Sequence, residues 1–371
     1  MEAPGKIYYH SGYVFVNERG KGFHVIDNRD PNSPQTVAFF QIPGNYDMAA
    51  KGNLLYADSY LDLLVLDISN PAAIQQLKRV ENALPYQQFF NGYQADPALG
   101  VVQEWVPKEV TEVVSCSSFG RGNGGFRNDA AVLENTFQGN GVGPTPSNSA
   151  PTTGVGGSMA RLTLVNNHLY YVTRDGLVPI SIQNPIEPES RNLISFGWEI
   201  ETIYPFKDHL FVGSRTGMFI FDLVDPAEPN MLGTFQHANA CDPVVVEGNT
   251  AYVTLRDGNE CDNFINQLEV VDVSNLTNPR LLKTYPMYNP HGLGIKDGIL
   301  FICDGDDGLK IYDAADPYAI DQNQLAHYKN ISTYDVIPLA DLLLMIGNDG
   351  LYQYDYSDLN NIRLLSVIPT Q

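Results

Sequence analysis

The residues best able to do chemistry are a group of acidic side chains and one histidine. Asp304, Asp306 and Asp307 stand close together and resemble part of a calcium-binding loop, without the spacing and terminal glutamate of an EF-hand. A solvated acidic turn is the alternative interpretation. His291, within Asn-Pro-His-Gly, could be a general base or a ligand, or a hydrogen-bonded structural residue. These residues allow metal binding or acid–base catalysis, so the elements that would position them must be found.

The overall charge excludes one large class of partners. Lys and Arg number 22 against 43 Asp and Glu, a formal net charge of −21, so the basic surface that binds nucleic acid is missing. Hydrophobic residues make up 43% of the chain, enough to fill a large core. No apolar run approaches the roughly 20 residues of a membrane-spanning helix. We therefore expect a folded domain with no nucleic-acid partner and no transmembrane segment.

A repeated pattern organises nearly the whole chain. Seven segments each contain two short apolar strands separated by a turn, and the second usually ends in Asp and is followed by Asn-Pro or Asp-Pro. The closing positions are Asp27, Asp67, Ser181, Asp222, Asp272, Asp313 and Asp355. Their intervals are 40, 114, 41, 50, 41 and 42 residues. A unit of this length with four short β-rich runs is typical of propeller blades.

The sequence thus predicts an all-β protein, a seven-bladed β-propeller of four-stranded antiparallel blades in a single domain spanning 1–371. The chain opens with an innermost strand, 7–10, and ends with an outermost one, 363–368. No blade is then shared between the two ends of the chain.

The 114-residue interval predicts a long loop insertion between blades 2 and 3, at about 85–157. Its second half is rich in Gly, Ser and Asn, so we expect an ordered flap followed by a mobile tail. The string 156–160, Gly-Gly-Ser-Met-Ala, does not match the GxSxG nucleophile motif and is interpreted as a flexible glycine loop.

Strand direction predicts which loops share a face. The insertion, the expanded loop 256–267 of blade 5 and the acidic loop of blade 6 all fall on the rim where innermost strands begin, which we call the top. Binding residues collect on loops of rigid scaffolds. The starts of the innermost strands should surround the top mouth of the central channel. They carry Asp47, Arg161, Glu201, Asp242, His291 and Asp335.

Four carboxylates brought together would raise one another's pKa or recruit a cation, so this mouth is a candidate binding site. His291 and Asp242 are the candidate acid–base residues. The sequence requires no cofactor, and the ion that it could hold is a divalent cation such as calcium. A polar, water-lined channel without a ligand is the alternative.

Two of the four cysteines, Cys241 and Cys261, fall on the same top rim of blade 5. We predict a disulfide between them, which would require an oxidising compartment. Two free thiols are the alternative.

The strings Leu63–Asp67, Leu-Leu-Val-Leu-Asp, and Leu268–Ser274, Leu-Glu-Val-Val-Asp-Val-Ser, resemble the LVIVD repeat family. The resemblance implies a bacterial β-propeller of the cell envelope, commonly exported, with no assigned reaction. We therefore expect an exported protein at the bacterial cell surface or in the periplasm, without its signal or lipid-anchor segment.

The favoured hypothesis is a monomeric binding or scaffolding module, not an enzyme. Its top face would engage a small molecule, a glycan or an envelope protein near the channel mouth and the insertion. One alternative is a metal-assisted hydrolase or lyase at the top mouth. Another is a purely structural cell-surface protein.

Overall fold

Seven antiparallel sheets form a propeller ring, as the repeat predicted. The computed structural model describes residues 1–2, 4–85, 153–197, 199–236, 243–256 and 266–370. In each blade the chain runs from the innermost strand to the outermost, and neighbouring strands are antiparallel. Among these residues, no helix is long and apolar enough to cross a membrane.

The first three blades flank the long insertion. Blade 1 consists of β1 (Pro4–His10), β2 (Tyr13–Glu18), β3 (Gly22–Asp27) and β4 (Gln35–Gln41). Blade 2 consists of β5 (Met48–Lys51), β6 (Leu54–Ser59), β7 (Asp62–Asp67) and β8 (Gln75–Val80). A short strand β9 (Val155–Gly156) precedes blade 3, which has β10 (Leu162–Val165), β11 (His168–Val172) and β12 (Gly176–Ser181), with its outermost strand split into β13 (Glu189–Ser190) and β14 (Ile194–Ser195).

Blades 4 to 7 follow one another without interruption. Blade 4 has β15 (Ile200–Phe206), β16 (His209–Ser214), β17 (Gly217–Asp222) and β18 (Asn230–Gln236), and blade 5 has β19 (Val244–Glu247), β20 (Thr250–Leu255), β21 (Gln267–Asp272) and β22 (Arg280–Pro286). Blade 6 has β23 (Leu293–Lys296), β24 (Ile299–Cys303), β25 (Leu309–Asp313) and β26 (Gln324–Tyr328), with 3-10 turns at Gly305–Asp307 and Ile320–Gln322. Blade 7 has β27 (Asp335–Pro338), β28 (Leu342–Gly347), β29 (Gly350–Asp355) and β30 (Arg363–Pro369).

The aspartate that closes each third strand has a structural task at the bottom rim. Asp67 Oδ1 accepts the backbone N–H of Ser69 at 2.8 Å, an Asx turn that ends the strand. In blade 3 the hydroxyl of Ser181 accepts the N–H of Gln183 at 3.4 Å instead. The departure from Asp in that blade therefore keeps a side-chain oxygen where the turn needs one.

Neighbouring blades are joined by packing and by tyrosines. The Tyr56 hydroxyl in blade 2 donates to the Pro185 carbonyl of the next blade's turn at 3.0 Å, and Tyr170 in blade 3 donates likewise to Pro226 at 2.9 Å. The turns that end these third strands thus also accept a hydrogen bond from a tyrosine of the preceding blade. Each such bond is worth about 1 kcal/mol net.

In the described chain, blades 7 and 1 close the ring as two separate sheets that pack against each other. Buried Ile346 and Leu351 of blade 7 share one apolar cluster with Val16 of blade 1. Across the same junction, Gln353 Nε2 donates to Asn28 Oδ1 at 2.6 Å. The prediction that no blade is shared between the chain ends is confirmed.

The end of the insertion lies inside the ring, in a position that the sequence did not predict. Thr153 pairs with Lys51 at the bottom end of β5. The strand β9 then runs antiparallel to β1, with Val155 opposite Tyr9 and Gly156 opposite Tyr8. Because β1 runs from top to bottom, residues 153–161 run from bottom to top along the channel. We call this segment the channel strap.

The glycines of the channel strap are required by close packing. A Cβ on Gly154 would overlap the ring of Tyr8, and one on Gly157 would overlap the carboxylate of Asp335. The interpretation of 156–160 as a flexible glycine loop is therefore wrong. These glycines let the backbone pass between side chains of the innermost strands.

The insertion was expected wholly on the top rim, and this is wrong for its second end. Leu84, on the entering side, donates its N–H to Leu61 in the top hairpin of blade 2 at 2.9 Å. Thr153, on the leaving side, lies at the bottom. The two described flanks of the insertion therefore lie at opposite ends of the propeller.

Candidate functional site

Asp47 lies at the top mouth and holds the upper end of the channel strap. Its Oδ2 accepts the N–H of Leu162 at 3.0 Å, the N–H of Arg161 and the ammonium of Lys6 at 2.8 Å. Burial lowers the pKa of Lys6, and the charge of Asp47 opposes that shift. Asp47 and Arg161 are therefore in contact, through the backbone N–H of Arg161.

A second buried carboxylate supports Asp47 from the same blade. Asp58 Oδ1 accepts the N–H groups of Tyr46 at 2.7 Å and Asp47 at 3.0 Å, and the amide of Asn45 at 2.8 Å. Burial raises the pKa of Asp58 to about 6. Sequence analysis missed this residue because it ends an apolar second strand, where the pattern gave no separate signal.

Asp335 faces the channel strap from blade 7. Its Oδ1 accepts the hydroxyl of Ser158 at 3.2 Å and the N–H of Val336 at 2.9 Å. The Ser158 oxygen in turn accepts the N–H of Leu293 at 2.8 Å. Complete burial raises the pKa of Asp335 to about 7. Burial is the largest cause of this shift.

His291 lies beside an aromatic ring and two arginines. Its imidazole is 5.7 Å from the ring of Tyr334, centroid to centroid, and the guanidinium of Arg19 stands 5.1 Å from the same ring on a cation–π contact. Burial lowers the pKa of His291 to about 4, and Arg256 adds to the shift. His291 is therefore neutral at pH 7, and its low pKa makes it a weak proton acceptor.

Of the two remaining predicted mouth residues, Glu201 lies in the described part of the chain and Asp242 does not. Glu201, in β15, is close enough to Tyr334 for its charge to help raise the pKa of that phenol. Asp242, Cys241 and Cys261 lie outside the described residues. The Asp242 assignment and the disulfide between the two cysteines stay predictions.

Arginines of the top hairpins are the functional candidates that sequence reasoning missed. Four blades place an arginine in the turn between their second and third strands: Arg19, Arg174, Arg215 and Arg256. Glu199 clamps two of them, with Arg174 Nη2 at 2.7 Å and Arg215 Nη1 at 2.8 Å. A signal was present, because an Arg-x-Gly string recurs in blades 3, 4 and 5.

A lysine side chain forms ion pairs with the acidic loop of blade 6. The Lys310 ammonium pairs with Asp304 and, at 2.7 Å, with Asp307. Asp304 also accepts the N–H groups of Tyr288 and Asn289. Within the part of the chain that the structure describes, no three His, Cys, Asp or Glu side chains are grouped so that they could hold a metal ion. The geometry therefore favours an ion-paired turn over a calcium loop formed by Asp304, Asp306 and Asp307.

Comparison with known families supports the repeat. The model of the LVIVD repeat matches residues 45–81 and 239–286, which correspond to blades 2 and 5. The chain thus carries LVIVD repeats in a seven-bladed β-propeller, as the resemblance implied. Among curated proteins, none matches the chain.

Solved structures share the architecture at low identity. The computationally designed protein Ika8 is 12% identical, with a TM-score of 0.57, over 100% of this chain and 88% of its own. Hsv2 of Kluyveromyces lactis is 11% identical over 99% of this chain and 98% of its own, TM-score 0.53. BamB from Moraxella catarrhalis is 9% identical over 92% and 81%, TM-score 0.50. At these identities the likeness shows the fold alone.

Proposed function

We propose that the protein is a binding or scaffolding β-propeller that engages its ligand or partner at the top mouth. The observation that carries the proposal is a group of buried arginine nitrogens at the top rim. At the bottom, aspartates such as Asp67 and Asp272 accept backbone N–H groups in Asx turns. At the top, the buried Nε atoms of Arg161, Arg215 and Arg256 have no hydrogen-bond partner among the described residues. Unused donors at a mouth are available to a ligand.

Binding is favoured over acid–base catalysis by the state of the histidine. A general base works best with a pKa near the operating pH, whereas that of His291 is about 4. Asp47 and Asp335 are engaged in holding the channel strap. The mouth therefore offers donors and an aromatic face to a ligand, and its carboxylates have structural partners.

Export to the bacterial cell surface or the periplasm is part of the same proposal. It is supported by the LVIVD repeats, since the resemblance implies exported propellers of the cell envelope. Fractionation of the source cells, with an antibody against the protein, tests it. Recovery with periplasmic or surface markers is expected, and recovery with cytosolic markers alone would contradict export.

The binding proposal is tested with variants of the two rims. The top variant is Arg256→Gln combined with Tyr334→Ala, and the matched bottom variant is Val224→Ser, because Val224 is 91% exposed in a bottom turn of blade 4. Thermal-shift assays use a panel of neutral glycans, organic acids, phosphates and envelope-derived peptides. A compound that stabilises the wild type and the bottom variant but not the top variant supports the proposal. If a compound stabilises the wild type and the top variant but not the bottom variant, the proposal is overturned.

A further inference from the structure

Four blades contribute to one group of side chains at the top mouth. Arg19 comes from blade 1, Tyr334 from the start of blade 7, His291 from the start of blade 6, and Arg256 from blade 5. Tyr334 links them, since Arg19 stands over its ring and the ring of His291 is tilted by 48° against it. We call these four residues the mouth cluster. It exists only in the closed ring, because no single blade supplies it.

Two nitrogens of the mouth cluster are buried without a partner. These are Arg256 Nε and His291 Nδ1, for which the described chain offers no acceptor or donor. Leaving a buried polar group unsatisfied costs about 1–3 kcal/mol, more when the group is charged. His291 is otherwise fixed by its backbone, whose N–H donates to Cys303 and whose carbonyl accepts the Thr254 hydroxyl at 2.6 Å. The imidazole is thus held in place with one ring nitrogen unused.

The charges around His291 are of both signs. Arg256 and Arg19 oppose its protonation, while Asp304 and Asp306 favour it. Asp304 is already neutralised by Lys310 and by backbone N–H groups. Glu201 and buried Asp335 act on the neighbouring Tyr334. Burial is the largest cause of the lowered pKa of His291, and Arg256 is the largest single charge that acts on the imidazole.

We propose that the mouth cluster binds an oxyanion, the phosphate or carboxylate of a ligand, between Arg19 and Arg256 and beside His291 and Tyr334. Guanidinium groups bind such anions through paired N–H donors, and a phenol or a neutral imidazole can add a further donor. An anion would also satisfy the unused nitrogens. The inference rests on the proposed function and names the chemical class of its ligand.

The test uses the NMR signal of His291 in the full-length protein. The chain has seven histidines, so the Cε1–H resonances of histidine-labelled protein can be assigned with His291→Gln. Inorganic phosphate and citrate are titrated separately at constant ionic strength, with chloride as the compensating ion. An oxyanion beside the imidazole should shift this resonance saturably and raise the pKa of His291 by about one unit, since it offsets the arginines.

Variants separate the mouth cluster from general electrostatics. Arg256→Gln should weaken binding at least about tenfold, the loss of one charge-assisted contact, and Arg19→Gln is a second, independent variant. The matched control is Arg280→Gln, on the exposed outermost strand of the same blade as Arg256, which should leave binding unchanged. Thermal melting of each variant shows that it is folded.

The outcomes separate the oxyanion proposal from the broader function. A response to phosphate alone assigns a phosphorylated ligand, and a response to citrate alone assigns a carboxylate. If neither anion moves the His291 resonance, or if Arg280→Gln weakens binding as much as Arg256→Gln, the oxyanion proposal is overturned. A neutral glycan that still requires Tyr334 and Arg256 would then leave the top-face function standing.

Discussion

At the scale of single residues, the Lys6–Asp47 pair is the most consequential charge pair of the top mouth. Asp47→Asn leaves the Lys6 ammonium buried without its counter-ion, and removing one partner of a buried pair costs about 3–5 kcal/mol. Lys6→Met should cost less, because Asp47 keeps three backbone N–H donors. Urea denaturation of both variants measures the difference.

The matched control for that pair is Lys21→Met, which removes an exposed ion pair with Glu2. Its unfolding midpoint should stay at the wild-type value, since exposed pairs contribute little. Equal losses from Asp47→Asn and Lys21→Met would show that the Lys6–Asp47 pair is not buried as described.

Asp335 gives a prediction about pH. The folded pKa of about 7 lies above the ordinary value of about 3.9. Between these values Asp335 keeps a proton in the folded protein that it has lost in the unfolded chain, so its contribution to the free energy of unfolding falls as pH rises through this range and levels off above about 7. Asp335→Asn should remove this loss, on the order of 2–4 kcal/mol between pH 4 and 8.

The measurement is chemical denaturation of wild type and Asp335→Asn from pH 4 to 8. The test lies in the difference between the two curves, because Asp58, with its raised pKa, and His291, with its lowered pKa, contribute slopes of opposite sign to both curves. The free energy of unfolding of the wild type should fall relative to that of Asp335→Asn as pH rises from 4 to about 7. Two parallel curves across the whole range would contradict the assignment of Asp335.

At the scale of elements, the channel strap makes a prediction that concerns two adjacent glycines. Gly157→Ala puts a methyl group into the carboxylate of Asp335, whereas Gly156→Ala meets Tyr8 no closer than 3.4 Å. Overpacking of this kind typically costs 1–3 kcal/mol. Thermal unfolding should therefore show a clear loss for Gly157→Ala and a small change for Gly156→Ala. Equal stability of the two variants would show that residues 153–161 do not pass through the channel.

The blades could be predicted from the sequence, and the channel strap could not. Each blade has a local sequence signal, because the closing Asp and the following Pro act within a few residues of the strand that they end. The strap lacks such a signal. Gly154, Gly156 and Gly157 have the composition of a linker, and only the tertiary structure shows that Tyr8 and Asp335 leave no room for side chains at Gly154 and Gly157.

The mouth was predicted in part for a similar reason. The aligned starts of the innermost strands pointed to Asp47, His291 and Asp335, and the structure places these three residues around the top mouth. The alignment ignored the hairpins between second and third strands, so Arg19 and Arg256 were missed. Lys6 was missed because it begins a strand whose other residues are mostly apolar or aromatic, and its partner Asp47 lies 41 positions away.

At the scale of the whole molecule, ring closure and the channel strap have a common consequence for the mouth. Blades 7 and 1 meet through apolar packing and the Gln353–Asn28 bond. The strap ties Asp47 of blade 2, Asp335 of blade 7 and Leu293 of blade 6 to one backbone. The residues of the top mouth therefore come from distant parts of the chain and are joined through the strap, an arrangement that suits the binding site proposed above.

The proposed oxyanion site and the path of the channel strap are tested most directly by a crystal structure of the protein soaked with selenate. Anomalous diffraction data locate the selenium. We predict a selenate ion within hydrogen-bond reach of Arg19 and Arg256 at the top mouth, above a channel filled by residues 153–161, and no such ion in crystals of Arg256→Gln. The prediction is contradicted if selenate binds only at other places. In that case the channel would be open, and Arg19 and Arg256 would point away from His291 and Tyr334.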